Sequence, residues 1–134
     1  QKPEGGSIKH DIAVPVSQVP RFLAAADAAV ARFMPGARLV TFGHLGDGNI
    51  HYNVSQPVGM DTQQYLDQWN TMNDVVFEVV TRFGGSISAE HGMGRLKAHH
   101  MPLIKSPVEL EMMRGLMRLF DPNTILNPGR VLPE

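Results

Sequence analysis

The chain has 134 residues, no cysteine, and 12 Lys and Arg against 13 Asp and Glu, for a formal net charge of −1. This length fits one domain, and a composition of 43% apolar and 19% charged residues is typical of a globular protein. The missing cysteine excludes disulfides and thiolate metal sites, and the near-neutral charge gives no support to a nucleic-acid partner. No apolar run approaches the roughly 18 residues of a membrane span, and no signal-peptide pattern is present. We therefore expect a cytoplasmic protein without a transmembrane segment.

The first 55 residues predict a strand, a helix and then a hairpin. Residues 8–14 alternate and are rich in β-branched side chains, which indicates a first strand. Apolar residues at helical spacing predict a helix over 18–33. Residues 38–45 and 49–55 predict the second and third strands, and Asp47-Gly48 between them is typical of a two-residue hairpin turn.

The rest of the chain predicts a helix, a short strand, a further helix and a tail. Asp61 and Gln64 form a capping-box pattern before a helix that ends at Gly84-Gly85, and 86–89 indicates a fourth strand. Ser106 and Glu109 form a second capping-box pattern, before a helix that runs to about Phe120. An extended, proline-punctuated tail follows.

The element order β-α-β-β-α-β predicts an α+β fold with a ferredoxin-like antiparallel sheet, an additional C-terminal helix and an extended tail. Both crossover helices should lie on one face of the sheet, leaving the other face open. A doubly wound parallel sheet is disfavoured, because the hairpin over 38–55 makes its two strands antiparallel neighbours.

The hairpin also predicts a site on the open face. With Asp47 and Gly48 as the central turn residues, His44 lies directly opposite His51, with Cβ atoms ~5 Å apart. Alternation places Asn53 on the same face as both histidines. Two imidazoles at this separation could hold one metal ion, although any single histidine is more often structural than a ligand.

The topology adds two residues to the histidine pair. We expect the start of strand one and the end of strand four to lie at the same edge, which brings Lys9 and Glu90 to His44 and His51. Two imidazoles and one carboxylate suit a divalent ion, zinc first, with manganese or iron as alternatives. Strand four should lie ~10 Å from strand three, so Glu90 must reach inward through the turn that follows it.

Three segments together resemble the C-terminal domain of FAD-linked oxidases of the vanillyl-alcohol-oxidase type. They are GHLGDGNIHYNV at 43–54, SAEHGMGRLK at 88–97 and LFDPNTILNPGRVLP at 119–133. The family includes D-lactate dehydrogenase, D-2-hydroxyglutarate dehydrogenase and the flavin subunit of glycolate oxidase. The resemblance covers nearly the whole chain from about Lys9.

The resemblance implies a role for each matching residue. His44, His51 and Glu90 fall on the metal ligands, and His91 falls on the base that takes the hydroxyl proton of the substrate. The remaining three resemble residues that contact the substrate (Lys9 and Asn53) and a tail asparagine near the flavin (Asn127).

The resemblance also implies an activity and partners. The full protein should use FAD and a divalent metal, with zinc as the first candidate, to oxidise a D-2-hydroxy acid to the 2-oxo acid. The flavin should be bound mainly by an N-terminal domain, because the Gly-rich stretches here form no strand–GxGxxG–helix unit. The chain starts at Gln1 rather than Met, and we interpret it as part of a longer protein, inactive alone. The exposed sheet face is a candidate homodimer contact, and an electron acceptor could bring the protein to the inner membrane.

Two other functions fit the residues. A metal-dependent hydrolase could use His44, His51 and Glu90 to activate water. A ferredoxin-like binding module could hold a small ligand through Lys9 and the histidine pair without any chemistry.

Overall fold

The computed structural model describes residues 5–133. The chain divides into two compact units, the first ending at Glu90 and the second beginning at His91.

The first unit contains a three-stranded antiparallel sheet in the order β1-β3-β2. Its strands are β1 (Ser7–Ala13), β2 (Arg38–His44) and β3 (Asn49–Ser55). Each lies within one residue of the predicted bounds. In β1 and β3, alternation of apolar and polar side chains marks a strand with one buried face, whereas β2 is exposed over residues 40–44. The α+β class is therefore confirmed.

Two long helices cover one face of this sheet. They are α1 (Val19–Phe33) and α3 (Trp69–Arg82). The ring of Phe22 on α1 meets Tyr52 edge-on with centroids 6.1 Å apart, and Phe77 on α3 meets His10 at 5.6 Å. His10 and Tyr52 are directly paired and so lie on the same face. Both helices therefore pack on that face, as the sequence predicts.

The predicted second helix is divided. A short helix α2 (Thr62–Leu66) is capped by Asp61, whose carboxylate accepts a hydrogen bond from Gln64 N at 2.9 Å. The longer helix α3 follows as a separate segment. The buried Tyr65 holds α2 to the sheet, because its hydroxyl donates to Val54 O at 2.5 Å and accepts from Ile8 N at 3.3 Å. Burial raises the pKa of this hydroxyl.

The prediction of a fourth strand over residues 86–89 is wrong, because this segment does not form a regular strand. Residues 86–89 make only one antiparallel bridge, between Ser86 and Ala13, on the edge of β1 that faces away from β3. The Ser86 hydroxyl donates to Ser88 O and accepts from Ser88 N, at 2.8 and 3.3 Å. Such local side-chain bonds compete with a regular ladder, which gives a physical reason for the early end of the pairing.

The second unit is helical, with α4 (Gly94–Lys97), α5 (Met101–Ile104) and α6 (Pro107–Phe120). The capping box of Ser106 and Glu109 is confirmed at the start of α6. The hydrogen bond from Ser106 N lowers the pKa of Glu109 to about 2. A small core of Met101, Leu110 and Leu132 holds the unit together. Between residues 5 and 133, no helix combines the length and apolar character needed to cross a membrane.

Candidate active site

The hairpin loop between β2 and β3 has four residues, not two. Leu45–Asp47 forms a 3-10 turn, and Gly48 closes the loop in the left-handed region with φ 72°. A two-residue type I′ turn needs positive φ at both central residues, and here only Gly48 adopts it. The Asp47 carboxylate instead accepts a hydrogen bond from Asn49 N at 3.3 Å.

The longer loop changes the partners of both histidines. His44 pairs with Asn49, and His51 pairs with Phe42, so the predicted His44–His51 pairing is wrong. The register differs by two residues, which preserves side-chain direction. His44 and His51 therefore still share the face opposite the helices, ~7 Å apart along the strand direction. The ring of Phe42 lies 5.0 Å from that of His51.

Glu90 reaches the histidine end of the sheet. Its Oε1 atom lies 3.6 Å from His44 Nδ1 and accepts a hydrogen bond from the amide of Asn49. The residue of β1 paired with Asn49 is Ala13, which has a small side chain. The inward reach of Glu90 is thus as predicted.

Asp11 connects Glu90 with the second histidine. It is directly paired with His51, and its Oδ1 atom lies 4.0 Å from His51 Nδ1. Its Oδ2 atom accepts a hydrogen bond from Glu90 N at 2.9 Å. Asp11 is only 5% exposed, so this carboxylate lies inside the site rather than at its surface.

Lys9 lies on the same face but not at the rim that carries His44. It is paired with Asn53, which is two residues beyond His51 and ~7 Å farther along β3. The predicted convergence of Lys9 with His44 is therefore wrong, since the start of β1 meets the end of an antiparallel β3. Lys9 is exposed, whereas Asn53 is buried.

The two other predicted residues belong to the second unit. His91 is exposed and is followed by Gly92 with φ 75°. Asn127 is also exposed and adopts left-handed φ 53°. The tail before it is folded by Asp121, whose carboxylate accepts hydrogen bonds from Ile125 N at 2.9 Å and Leu126 N at 2.7 Å.

Sequence reasoning missed Asp11 and Asn49. Alternation already places Asp11 on the face of Lys9, and a carboxylate inside the strand IKHDIA is an available signal. Asn49 stands inside the GDGN segment, where the strand pattern predicts only a residue beside the turn. Their contribution depends on side-chain contacts with Glu90, a residue 41 positions beyond Asn49.

The donor side chains are close to one another without forming a complete cation cage. Within the described part of the chain, no three His, Asp or Glu side chains are grouped closely enough to hold a metal ion. His44 and Glu90 form the nearest pair among the proposed ligands, and His51 lies on the same face. This donor chemistry, two imidazoles with one carboxylate, is of the type that binds a divalent ion with an open position.

The chain is thus a small α+β domain with a histidine–carboxylate cluster at one end of an antiparallel sheet. Residues 1–131 match the family described as FAD linked oxidases, C-terminal domain. The chain belongs to this family.

Three similar proteins are named as dehydrogenases of 2-hydroxy acids. The chain is 45% identical over 123 residues to D-2-hydroxyglutarate dehydrogenase of Stutzerimonas stutzeri, covering 92% of the chain and 26% of the relative. It is 37% identical over 122 residues to D-lactate dehydrogenase of Anaerostipes hadrus, covering 90% and 25%. It is 35% identical over 131 residues to a mitochondrial D-2-hydroxyglutarate dehydrogenase of Arabidopsis thaliana, covering 97% and 22%. The chain therefore spans about a quarter of the length of these relatives.

Proposed function

We propose that this chain is the substrate-facing domain of an FAD-dependent dehydrogenase that oxidises a D-2-hydroxy acid to its 2-oxo acid. The observation that carries the proposal is the cluster of His44, Asn49 and Glu90, which joins two of the sequence segments that mark the family. The names of the relatives supply D-2-hydroxyglutarate and D-lactate as first candidates, and the resemblance of the sequence motifs adds glycolate as a third.

A divalent ion is part of this proposal, with zinc as the first candidate. His44, His51 and Glu90 would hold it, because they combine imidazole and carboxylate donors on one face of the sheet. The 3.6 Å separation of His44 Nδ1 and Glu90 Oε1 is close to that of two donors on one ion. A bound divalent ion lowers the pKa of a coordinated hydroxyl and polarises a coordinated oxygen.

FAD would supply the hydride acceptor when bound, and we propose that it is held mainly by a domain outside the quarter of the relatives' length that this chain spans. The residues of this chain provide binding and acid–base chemistry. His91 takes the proton of the C2 hydroxyl, in the role of a general base. Lys9 pairs with the substrate carboxylate and Asn53 donates a hydrogen bond to it, while Asn127 lies near the flavin. The neighbouring positions of Lys9 and Asn53 on adjacent strands support a shared substrate contact.

The sheet supports the finer fold assignment. The bridge from Ser86 to the outer edge of β1 gives residues 86–89 the place that a fourth strand occupies in a ferredoxin-like sheet.

On the face that carries the site, Val40 and Phe42 of the edge strand β2 are 42% and 57% exposed. This face is our candidate contact between copies, and sedimentation of the complete protein with Phe42→Ser tests it.

The decisive experiment is an oxidation assay of the complete protein with an artificial electron acceptor. We expect turnover of at least one D-2-hydroxy acid, no turnover of its L-enantiomer, and bleaching of the flavin by substrate under anaerobic conditions. His91→Ala should lower kcat by about 10²–10⁴-fold, the range of general-base catalysis, whereas His99→Ala serves as the matched histidine control. Esterase or phosphatase activity that needs metal but no flavin would instead establish the hydrolase alternative.

The binding roles have separate readouts. Lys9→Ala should raise KM far more than it lowers kcat, and Lys105→Ala should change neither. Elemental analysis should find one divalent ion per chain, lost in His44→Ala. Tight reversible binding of the acid without metal or flavin turnover, unchanged by His44→Ala, would contradict the proposal and favour a binding module.

A further inference from the structure

Glu90 extends from a segment that lies outside β1, yet its carboxylate contacts residues at the ends of β2 and β3. A glutamate side chain in a turn has several rotatable bonds, so contacts with other residues are needed to hold it in one position. Two buried polar residues contact it, one at its backbone and one at its carboxylate. We infer that Asp11 and Asn49 are positioning residues that hold Glu90 beside His44, and we name this pair the Glu90 clamp.

Asp11 holds the backbone half of the clamp. Its Oδ2 atom accepts from Glu90 N at 2.9 Å, and its own carbonyl oxygen accepts from Ala89 N at 3.3 Å. These two bonds continue along β1 from the Ala13–Ser86 bridge after regular pairing has ended. A carboxylate is a strong acceptor for a backbone N–H, particularly where the carboxylate is 95% shielded from solvent. Asp11 therefore determines where the chain turns at Glu90.

Asn49 holds the carboxylate half. Its amide nitrogen donates to Glu90 Oε1, and the residue is only 5% exposed. The amide orientation is fixed by chemistry, because the opposite orientation would place its oxygen against the carboxylate. In this orientation the Asn49 Oδ1 atom is buried without a hydrogen-bond partner among residues 5–133. Buried polar atoms are normally paired. Asn49 therefore leaves its own oxygen without a partner while its amide nitrogen bonds to Glu90.

The clamp also reaches the second histidine, because Asp11 faces His51 as well as Glu90. A residue that supports several ligand side chains through hydrogen bonds fixes their directions without touching the ligand. The inference rests on the proposed function in treating Glu90 as a site residue. Its geometric part concerns contacts that exist whether or not the protein oxidises a 2-hydroxy acid.

The first test measures the clamp without using activity. Hydrogen exchange of the segment 86–92 is followed by mass spectrometry in the complete protein. Asn49→Asp keeps the side-chain volume but replaces the donor by a second carboxylate, and it should accelerate exchange in this segment about tenfold. Adding Glu90→Gln to that variant reverses donor and acceptor and should return exchange to within about twofold of the wild type. Asn73→Asp, a buried amide on α3, is the matched control.

Asp11→Ala should accelerate exchange in the same segment, whereas Glu78→Ala, which removes an exposed carboxylate on α3, should not. Unchanged exchange in both clamp variants overturns the inference. It is also overturned if the Asn49→Asp variant is loosened but Glu90→Gln fails to restore it, since Asn49 would then have only a general structural role.

The second test measures the consequence for the site. Supporting residues of a metal site typically change metal affinity or activity by about 10–100-fold. Each clamp variant should lower kcat by a factor in this range. Asn49→Asp combined with Glu90→Gln should regain protection from exchange while kcat stays low, because the proposed ligand carboxylate is no longer at position 90. An inactive wild type with a clamp that responds as expected rejects the proposed function and keeps the clamp. A normal oxidase whose kcat and exchange are unaffected by both clamp variants rejects the clamp and keeps the function.

Discussion

Gly48 closes the loop that carries the site, and we predict that Gly48→Ala strongly destabilises the protein. Its φ of 72° is left-handed, and a Cβ atom placed there would lie 2.0 Å from the backbone oxygen of Val14. A left-handed conformation costs a non-glycine residue about 1–2 kcal/mol. The clash also breaks the bond from Val14 N to Gly48 O, worth about 1 kcal/mol. After subtracting about 0.5 kcal/mol for the stiffer unfolded chain, the expected loss is ~1.5–2.5 kcal/mol.

Two other glycines separate the contributions. A Cβ atom at Gly59 meets nothing within 4 Å although φ is 80°, so Gly59→Ala should cost only about 1 kcal/mol. Gly46 has neither a positive φ nor a neighbour within 4 Å of an added Cβ. Gly46→Ala should therefore be neutral or stabilise by about 0.4–1 kcal/mol, through the unfolded chain alone.

The assay is urea unfolding of the three variants and the wild type, monitored by circular dichroism and by the fluorescence of Trp69. The free energies of unfolding should fall in the order Gly46→Ala, Gly59→Ala, Gly48→Ala. An equal loss for Gly48→Ala and Gly59→Ala would refute the reasoning, because it would show that the close approach of Val14 to the loop does not constrain the fold.

Two further predictions concern the two units separately. Tyr52→Phe should lower the free energy of unfolding by about 1–2 kcal/mol, because the buried hydroxyl donates to Asp27 Oδ1 at 2.8 Å. Burial, followed by Asp27, raises the pKa of Tyr52. The wild type should therefore lose stability as pH rises above about 10, the pKa of unfolded tyrosine, more steeply than Tyr52→Phe does. In the second unit, the pKa of Glu109 is lowered to about 2, so its stabilisation of α6 is present above about pH 4.5 and lost as pH falls through 2. An NMR titration of Glu109 checks this, and a midpoint near 4.5 contradicts it, with Glu109→Gln as the variant that lacks the transition.

The central strand β3 could be predicted because it has one apolar face. Ile50, Tyr52 and Val54 alternate with polar residues, and this alternation is visible in any window of the chain. The same period of two explains why the predicted site residues of the hairpin lie on one face although the predicted loop length is wrong. The loop is two residues longer than predicted, and a register difference of two leaves every side chain on its expected face. A difference of one would have moved His44 to the helix-covered face relative to His51.

The remaining features depend on contacts that no local pattern encodes. The break between α2 and α3 comes just after Tyr65, whose hydroxyl is hydrogen-bonded to β1 and β3. Both strands precede this helix in the chain. The absence of a regular fourth strand follows the local bonds of Ser86. The contact of Glu90 with Asn49 joins side chains 41 residues apart. Each of these is decided by tertiary geometry rather than by propensity.

The strand β3 links the site to the stability of the first unit. Its even-numbered residues from Ile50 to Val54 are buried against the helices, and its odd-numbered residues from Asn49 to Asn53 form the site. A one-residue slip would turn His51 and Asn53 toward the apolar core beneath the helices and remove Tyr52 from it. The cost would be unpaired polar groups and lost apolar burial together. The polar residues of the site therefore also specify the register of the sheet that positions them. Substituting His51 by an apolar residue removes a proposed ligand and, at the same time, weakens the discrimination between the two registers.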